Sequence, residues 1–92
     1  MYKIKDYSYK QAKKYNVLIF PSKRKNKKID IFTTNGDYLA PIAHIMYKDY
    51  PTYLQEEGRQ IAEDHRRRYK LRHQKDRKNI GSPGFFADVI LW

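Results

Sequence analysis

One stretch of the sequence is crowded with basic side chains. Residues 65–78 read HRRRYKLRHQKDRK, in which eight of fourteen positions are Lys or Arg and only Asp76 is acidic. Lys and Arg neutralise phosphate oxygens and release counterions, so a group of them gives a salt-sensitive affinity for a polyanion. A solvated helix face also favours Lys and Arg, but ordinary solvated faces mix both signs. We therefore favour polyanion binding at this stretch, through Arg66, Arg67, Lys70, Arg72, Lys75, Arg77 and Lys78.

A second basic run occupies residues 23–28, which read KRKNKK without an acidic residue. Five like charges in one turn avoid burial only by projecting into solvent, where they can lie along a phosphate backbone. The alternative is an edge loop whose lysines discourage aggregation of the sheet. Two basic segments in one small domain make joint use more plausible than either alone. The predicted contacts in this run are Lys23, Arg24, Lys25, Lys27 and Lys28.

The histidines give little support for a metal site. His44, His65 and His73 have no cysteines or carboxylates near them at the spacing that metal ligation needs. On a helix, the directions of His65 and His73 differ by about 80° over some two turns. We therefore predict that the histidines share no site.

The acidic residues raise one catalytic alternative, a nuclease that depends on a divalent ion. Its ligands would be Glu56, Glu57, Glu63 and Asp64. Carboxylates in the first half of a helix are ordinarily explained by the helix dipole and by pairing with nearby Arg. The sequence also has no Gly-rich phosphate loop and no nucleophile motif. We predict a protein that is not an enzyme and has no catalytic residues, metal or cofactor.

Aromatic residues are plentiful, with nine Tyr, four Phe and one Trp. Such rings stack on bases in proteins that bind single strands. A small core needs most of its aromatic residues for packing, so we expect core or interface roles for Tyr38, Tyr47, Tyr50 and Tyr53.

Length and charge limit the class of protein. With 92 residues and a net charge of +10, the chain forms one domain and is expected to have an anionic partner. It has no cysteine, which excludes disulfides and thiolate chemistry. No apolar run reaches the roughly 18–20 residues that cross a bilayer. We expect no membrane span, and a place in a virion or inside a host cell (nucleus or cytoplasm) rather than secretion.

The predicted elements place one basic run in a turn and the other on a helix of an α+β fold, and we expect both to lie on a shared outer surface. The apolar β-branched and aromatic runs at 17–20 and 29–32, with an Asn-Gly turn at Asn35, predict a three-stranded antiparallel meander over residues 15–50. We expect residues 1–14 to form a loose N-terminal arm. The first basic run then lies in the turn between the first two strands.

Residues 51–78 are predicted to form one long basic helix packed against this sheet. Pro51 is tolerated in a first turn, and the charges follow the dipole. We expect a close backbone approach at Gly58 because glycine costs about 1 kcal/mol in a helix interior. The inward stripe is Leu54, Gly58, Ile61, Ala62, His65 and Tyr69. The apolar segment 79–92, ending FFADVILW, is expected to fold back onto the helix or sheet, or to anchor a partner.

Four ordered segments, SKRKNKKIDIF, DYPTY, RRRYKLRHQKD and SPGFFADVILW, resemble a family of short basic proteins of large double-stranded DNA viruses and some bacteriophages. The resemblance covers roughly residues 15–92 and departs from the family within FADVI, where members often carry another aromatic residue. It implies a viral origin but no settled activity, so no functional residue is carried over. Its most specific positions are Arg68, Tyr69, Arg72, His73, Gly84, Phe85, Leu91 and Trp92.

Together these features predict a small, basic, non-catalytic viral protein that binds nucleic acid through phosphate contacts and is packaged with the genome. DNA is favoured over RNA. The alternative is a virion structural protein, a minor capsid or cementing component, whose cations meet an acidic protein surface and whose terminal segment inserts into a neighbour.

Overall fold

The computed structural model describes residues 1–92 as an α+β fold with a three-stranded sheet and five helices. This confirms the predicted fold class. In chain order the elements are α1 (Asp6–Lys14), β1 (Val17–Pro21), β2 (Lys27–Thr33), β3 (Tyr38–His44), α2 (Tyr50–Glu57), α3 (Arg59–Arg72), α4 (Gln74–Lys78) and α5 (Pro83–Leu91).

The sheet is the antiparallel meander that strand patterning predicts, with order β1-β2-β3. Ile19 pairs with Ile31 across β1 and β2, and Ile31 pairs with Ala40 across β2 and β3. Gly36 has a φ of 94° in the second turn, a conformation that glycine adopts without a steric penalty. The first turn, residues 22–26, carries the basic run KRK at its tip.

The long helix predicted over residues 51–78 is wrong, because the chain breaks it twice. Gly58 has φ 94° and ψ 170°, which ends α2 and begins α3. An added Cβ at Gly58 would meet nothing within 4 Å, so this glycine serves backbone conformation and not the close approach predicted there. His73, at φ −110° and ψ 25°, separates α3 from α4.

The predicted inward stripe of that helix is also only partly right. Ala62 is completely buried, whereas Leu54 and Ile61 remain 40% and 43% exposed. The break at Gly58 changes the direction of the chain, so one continuous helical periodicity does not describe both sides of it.

The N-terminal residues are not a loose arm, since they contain α1 and contribute to the core. The Ser8 hydroxyl donates to the main-chain oxygen of Ile90 at 2.8 Å, and the Gln11 amide donates to that of Val89 at 2.9 Å. Ile4 and Ala12 are buried in the same cluster as the sheet. Sequence patterning missed this helix because its exposed face is rich in Lys and only a narrow stripe is apolar.

The C-terminal segment folds back as predicted and forms α5. Ser82 caps this helix by accepting a hydrogen bond from the Phe85 amide at 3.2 Å. Ile90 and Leu91 are fully buried against the inner face of the sheet. This inner face, covered by α1 and α5, is therefore the hydrophobic core. On the other face, Lys28 is buried beside Asp49, whereas the part that carries Leu18 and Phe20 is exposed, and we call that part the uncovered face. None of the helices has both the length and the apolar composition required to cross a bilayer.

Candidate nucleic-acid interface

Lys28, one of the predicted phosphate contacts, is buried and ion-paired. Its ammonium lies 2.8 Å from an Asp49 carboxylate oxygen, with side-chain exposures of 3% and 1%. The Tyr2 hydroxyl and the Thr52 amide also donate to Asp49, at 2.6 and 2.9 Å. Burial alone would raise the pKa of Asp49, but the hydrogen bonds from Lys28, Thr52 and Tyr2 outweigh it and hold that pKa below its ordinary value. Lys28 thus stabilises the fold and is not available to phosphate.

Arg66, another predicted contact, ties three parts of the chain together. Its Nε donates to the main-chain oxygen of Trp92 at 2.7 Å, and its other nitrogens donate to Glu63 and to the Tyr7 hydroxyl at 3.4 and 3.1 Å. The guanidinium lies 3.6 Å from the centre of the Tyr50 ring, a cation–π contact. Three of its five N–H donors are therefore engaged by α1, α3 and the chain after α5.

Lys70 is likewise engaged within the protein. Its ammonium lies 2.7 Å from an oxygen of Asp88, a residue that is buried on α5. This pair fastens α3 to α5. Lys28, Arg66 and Lys70 accordingly leave the set of candidate phosphate contacts.

The tip of the turn between β1 and β2 behaves as the sequence predicts. Lys23, Arg24 and Lys25 are exposed, and none of them forms a salt bridge. The Arg24 guanidinium lies 5.0 Å from the centre of the Tyr38 ring, and its Nε donates to the Tyr38 hydroxyl at 2.8 Å. Arg24 therefore reaches from the turn to the uncovered face of the sheet.

That uncovered face carries a row of aromatic side chains. The Phe20 and Phe32 rings meet edge to face at 5.5 Å, and Phe32 meets Tyr38 at 5.4 Å. Register places Leu18 opposite Phe32. Phe20 is 51% exposed, and Leu18 and Tyr38 are each 40% exposed. Packing within this chain therefore does not account for all of the aromatic residues.

Some cations of the helices are paired and others are free. Arg67 and Arg68 share the carboxylate of Asp64, at 2.8 and 2.6 Å, on an exposed surface. Arg77 donates to the main-chain oxygen of Lys70 at 3.2 Å. The remaining predicted contacts have no carboxylate partner and are exposed at the end of α3 and on α4: Arg72, Lys75 and Lys78.

One free cation from each basic segment lines a common cleft. Lys27 on β2 and Arg72 at the end of α3 both border it. His44, His65 and His73 border it too. A difference of 80° lies within one helical face, and β3 brings His44 to that face. No group of three His, Cys, Asp or Glu side chains is arranged to hold a metal ion.

The carboxylates considered for a divalent-ion site are engaged with cations or a hydroxyl. Glu56 and Glu57 both contact Lys48, at 3.0 and 3.2 Å. Glu63 accepts from the Tyr50 hydroxyl at 2.6 Å, which lowers the pKa of Glu63 and raises that of Tyr50. These carboxylates are thus paired with neighbouring side chains rather than gathered around one ion-binding position.

Sequence reasoning missed the aromatic face and the contribution of α1 to the charge. The sequence of β1, VLIFP, could have indicated the aromatic face. Successive side chains of a strand point to opposite faces of the sheet, so Leu18 and Phe20 must lie on the face away from the buried Val17 and Ile19. With one layer of helices, only one face of the sheet can be covered. The second missed feature is a group of exposed lysines on α1, at Lys10, Lys13 and Lys14.

Comparisons with protein-family models, with curated proteins and with solved structures returned no match. The assignment of a site therefore depends on the geometry of this chain.

Proposed function

We propose that this protein is a small, basic, non-catalytic viral protein that binds nucleic acid. Cations of the turn between β1 and β2 contact phosphates, and the aromatic residues of the uncovered sheet face stack on bases. The viral origin and packaging with the genome, in a virion or inside the host cell, come from the sequence resemblance, and DNA stays the favoured nucleic acid.

The observation that carries the proposal is the position of Arg24. It joins a group of unpaired cations to a row of exposed rings on the same side of the sheet. Phosphates and bases alternate along a strand, so a surface that offers cations beside aromatic faces matches both parts of a nucleotide. Arg24 itself combines a charge with a planar group that stacks.

This arrangement favours single strands over duplex. Stacking on Phe20 or Phe32 requires a base whose face is free, and the bases of a duplex are covered by their neighbours. The sequence predicted phosphate contacts alone, and the exposed rings add a preference for single strands to that prediction.

The alternative, a capsid component anchored by FFADVILW, receives less support. Phe86, Val89, Ile90 and Leu91 are buried in the core of this chain. An anchor that inserts into a neighbour has to be exposed, so this segment is not free to serve as one.

Fluorescence anisotropy with labelled single-stranded and duplex oligonucleotides at several salt concentrations tests the proposal. We expect tighter binding of the single strand, with log K falling linearly against log salt at about −0.7 per phosphate contacted. Binding that is indifferent to salt, or equal for both forms, would contradict it. An assay with magnesium and manganese tests the non-catalytic part, for which we expect intact oligonucleotides.

A further inference from the structure

A cleft of about 520 Å³ lies between β3, the helices α3 and α4, and α5. Its size is within the range of about 300–1,000 Å³ that is usual for small-molecule sites. It is separate from the uncovered sheet face: none of the three rings there, Phe20, Phe32 and Tyr38, lines it.

Aromatic rings from four parts of the chain form one wall of this cleft. His65 stacks on Tyr53 with centres 3.9 Å apart and planes 3° apart, and Tyr53 lies 6.3 Å from Trp92. Trp92 stacks on Tyr69 at 4.4 Å, and Tyr69 stacks on His73 at 4.3 Å. The wall is thus a continuous series of five rings, each of which has a polar group at its edge.

A second pair of rings borders the cleft from the segment that follows β3. His44 and Tyr47 meet edge to face at 5.8 Å. Tyr47 is 74% exposed, although it lies beside a cavity lined with other rings. The cleft therefore offers aromatic surface on two sides.

Two cations border the cleft without a carboxylate partner, Lys27 and Arg72. Lys28 pairs with Asp49, and Lys48 pairs with Glu56 and Glu57. Asp76 has only the neutral ring of His73 beside it, at 3.5 Å, so its negative charge also belongs to the cleft. Lys27 and Arg72 outnumber it by one, so the net charge that remains in the cleft is positive.

Tyr69, at the centre of the wall, keeps its hydroxyl proton over the physiological range. Burial, with smaller effects from Asp88 and Asp76, raises the pKa of Tyr69 to about 12. Its hydroxyl is thus a hydrogen-bond donor in the cleft, and the neighbouring histidines supply further polar ring nitrogens.

We propose that this cleft binds a nucleoside phosphate, whose base packs against the ring wall and whose phosphate pairs with Arg72 and Lys27. The rings and the cations of the lining each argue against a ligand that lacks either a base or a phosphate. A bare anion would have no use for the rings, and an apolar molecule would leave two cations unpaired. The nucleotide is either free or the terminal residue of a strand. The inference does not rest on the sheet face or on its proposed function.

Trp92 is the only tryptophan of the chain, so its fluorescence reports occupation of the cleft directly. Titration with adenosine 5′-monophosphate, adenosine and inorganic phosphate, followed by Trp emission and by calorimetry, is the test. We expect saturable binding of the monophosphate that is stronger than that of either part. No saturable binding of the monophosphate or of a strand end, or equal binding of inorganic phosphate, would overturn the proposal.

Arg72→Gln and a matched control assign the phosphate contact. We expect Arg72→Gln to weaken binding of the monophosphate about tenfold or more and to leave binding of adenosine unaffected. Arg68→Gln, one turn earlier on α3 and outside the cleft, should leave both unchanged. Equal effects of the two variants would contradict the assignment of the phosphate contact.

Single strands with and without a 5′-phosphate separate the two sources of the ligand. Quenching of Trp92 by the phosphorylated strand alone assigns the cleft to a strand end, and quenching by the free monophosphate assigns it to a small molecule. Loss of oligonucleotide binding in Phe20→Ala, with monophosphate binding intact, would show that the two sites are independent.

Discussion

The two basic segments have similar composition but different surroundings in the fold. At the tip of the turn between β1 and β2, Lys23, Arg24 and Lys25 are exposed and unpaired. In α3, Arg66 and Lys70 are tied to other elements, and Arg67 shares Asp64 with its neighbour.

The difference follows from secondary structure. A helix brings residues three and four positions apart together, so Asp64 meets Arg67 and Arg68 in a way that sequence neighbours in a turn cannot. A helix also packs on one side, which places cations such as Lys70 beside buried carboxylates. A density of basic residues therefore indicates a free cationic surface more reliably in a turn than in a helix.

Lys28→Met should cause the largest loss of stability. It tests whether Lys28, which is buried, differs from the exposed cations of the same basic run. Removing it leaves Asp49 buried without its counter-ion, which costs about 3–5 kcal/mol. Urea denaturation followed by circular dichroism measures the loss. Lys25→Met is the control and should change stability by less than about 0.5 kcal/mol. Equal stabilities would show that the Lys28–Asp49 pair does not support the fold.

The same ion pair makes stability depend on pH in a defined direction. The pKa of Asp49 is lower in the folded protein than its ordinary value of 3.8. The stabilisation is thus fully present above the ordinary value and is lost as the pH falls through the lowered one. Denaturation measured from neutral to acidic pH should show this loss. In Lys28→Met, burial of Asp49 is no longer offset by the lysine, so the pKa of Asp49 rises and the loss at acidic pH should be smaller than in the parent protein or reversed. Identical pH profiles for the two proteins would be inconsistent with this pairing.

Phe20→Ala tests the sheet face beside the turn. Loss of one stacked base costs about 1–3 kcal/mol, so single-strand affinity should fall roughly 5- to 150-fold. Leu71→Ala is the matched control, since Leu71 is 58% exposed on α3 and Phe20 is 51% exposed. Anisotropy titration compares the two variants. A similar affinity for both would remove the aromatic face from the interface.

Lys70→Met and Lys75→Met compare the stability contributed by an ion-paired lysine of the helices with that of an unpaired one. We expect a loss of about 1–2 kcal/mol, because Asp88 on α5 keeps its charge but loses its partner. Lys75→Met, on exposed α4, should be neutral within about 0.5 kcal/mol. Chemical denaturation distinguishes them, and a neutral Lys70→Met would place that lysine among the free cations.

Local patterns predicted the sheet and the return of the C-terminal segment well. Alternation in β1 and the Asn35–Gly36 turn are short-range signals, and the apolar end of the chain has to be buried. The breaks at Gly58 and His73 were not predictable in the same way, since an isolated glycine inside a helical pattern is tolerated at a cost of about 1 kcal/mol and histidine has no strong tendency to end a helix.

The site was predicted only where it depends on local sequence. Exposure of the turn follows from five like charges in six residues, whereas the burial of Lys28 depends on Asp49, which lies 21 positions away. The cleft likewise depends on contacts between β3, α3 and α5, and no sequence spacing relates those elements. Tertiary pairing therefore decided which predicted cations remained available.

A pair of charge-matched variants tests the central claim, that the turn and not the overall charge binds phosphate. The turn variant replaces Lys23, Arg24 and Lys25 with Gln. The α1 variant replaces three exposed cations with Gln, namely Lys10 and Lys14 of α1 and Arg59 at the start of α3, none of which lines the depression beside Leu18 and Phe20. Both proteins lose three positive charges, and none of the six side chains forms a salt bridge.

The measurement is the salt dependence of single-strand affinity for these two variants and the parent protein. If the turn makes three phosphate contacts, its variant should reduce the slope of log K against log salt by about 2, while the α1 variant changes it little. Equal slopes for the two variants would contradict the claim and attribute binding to net charge alone.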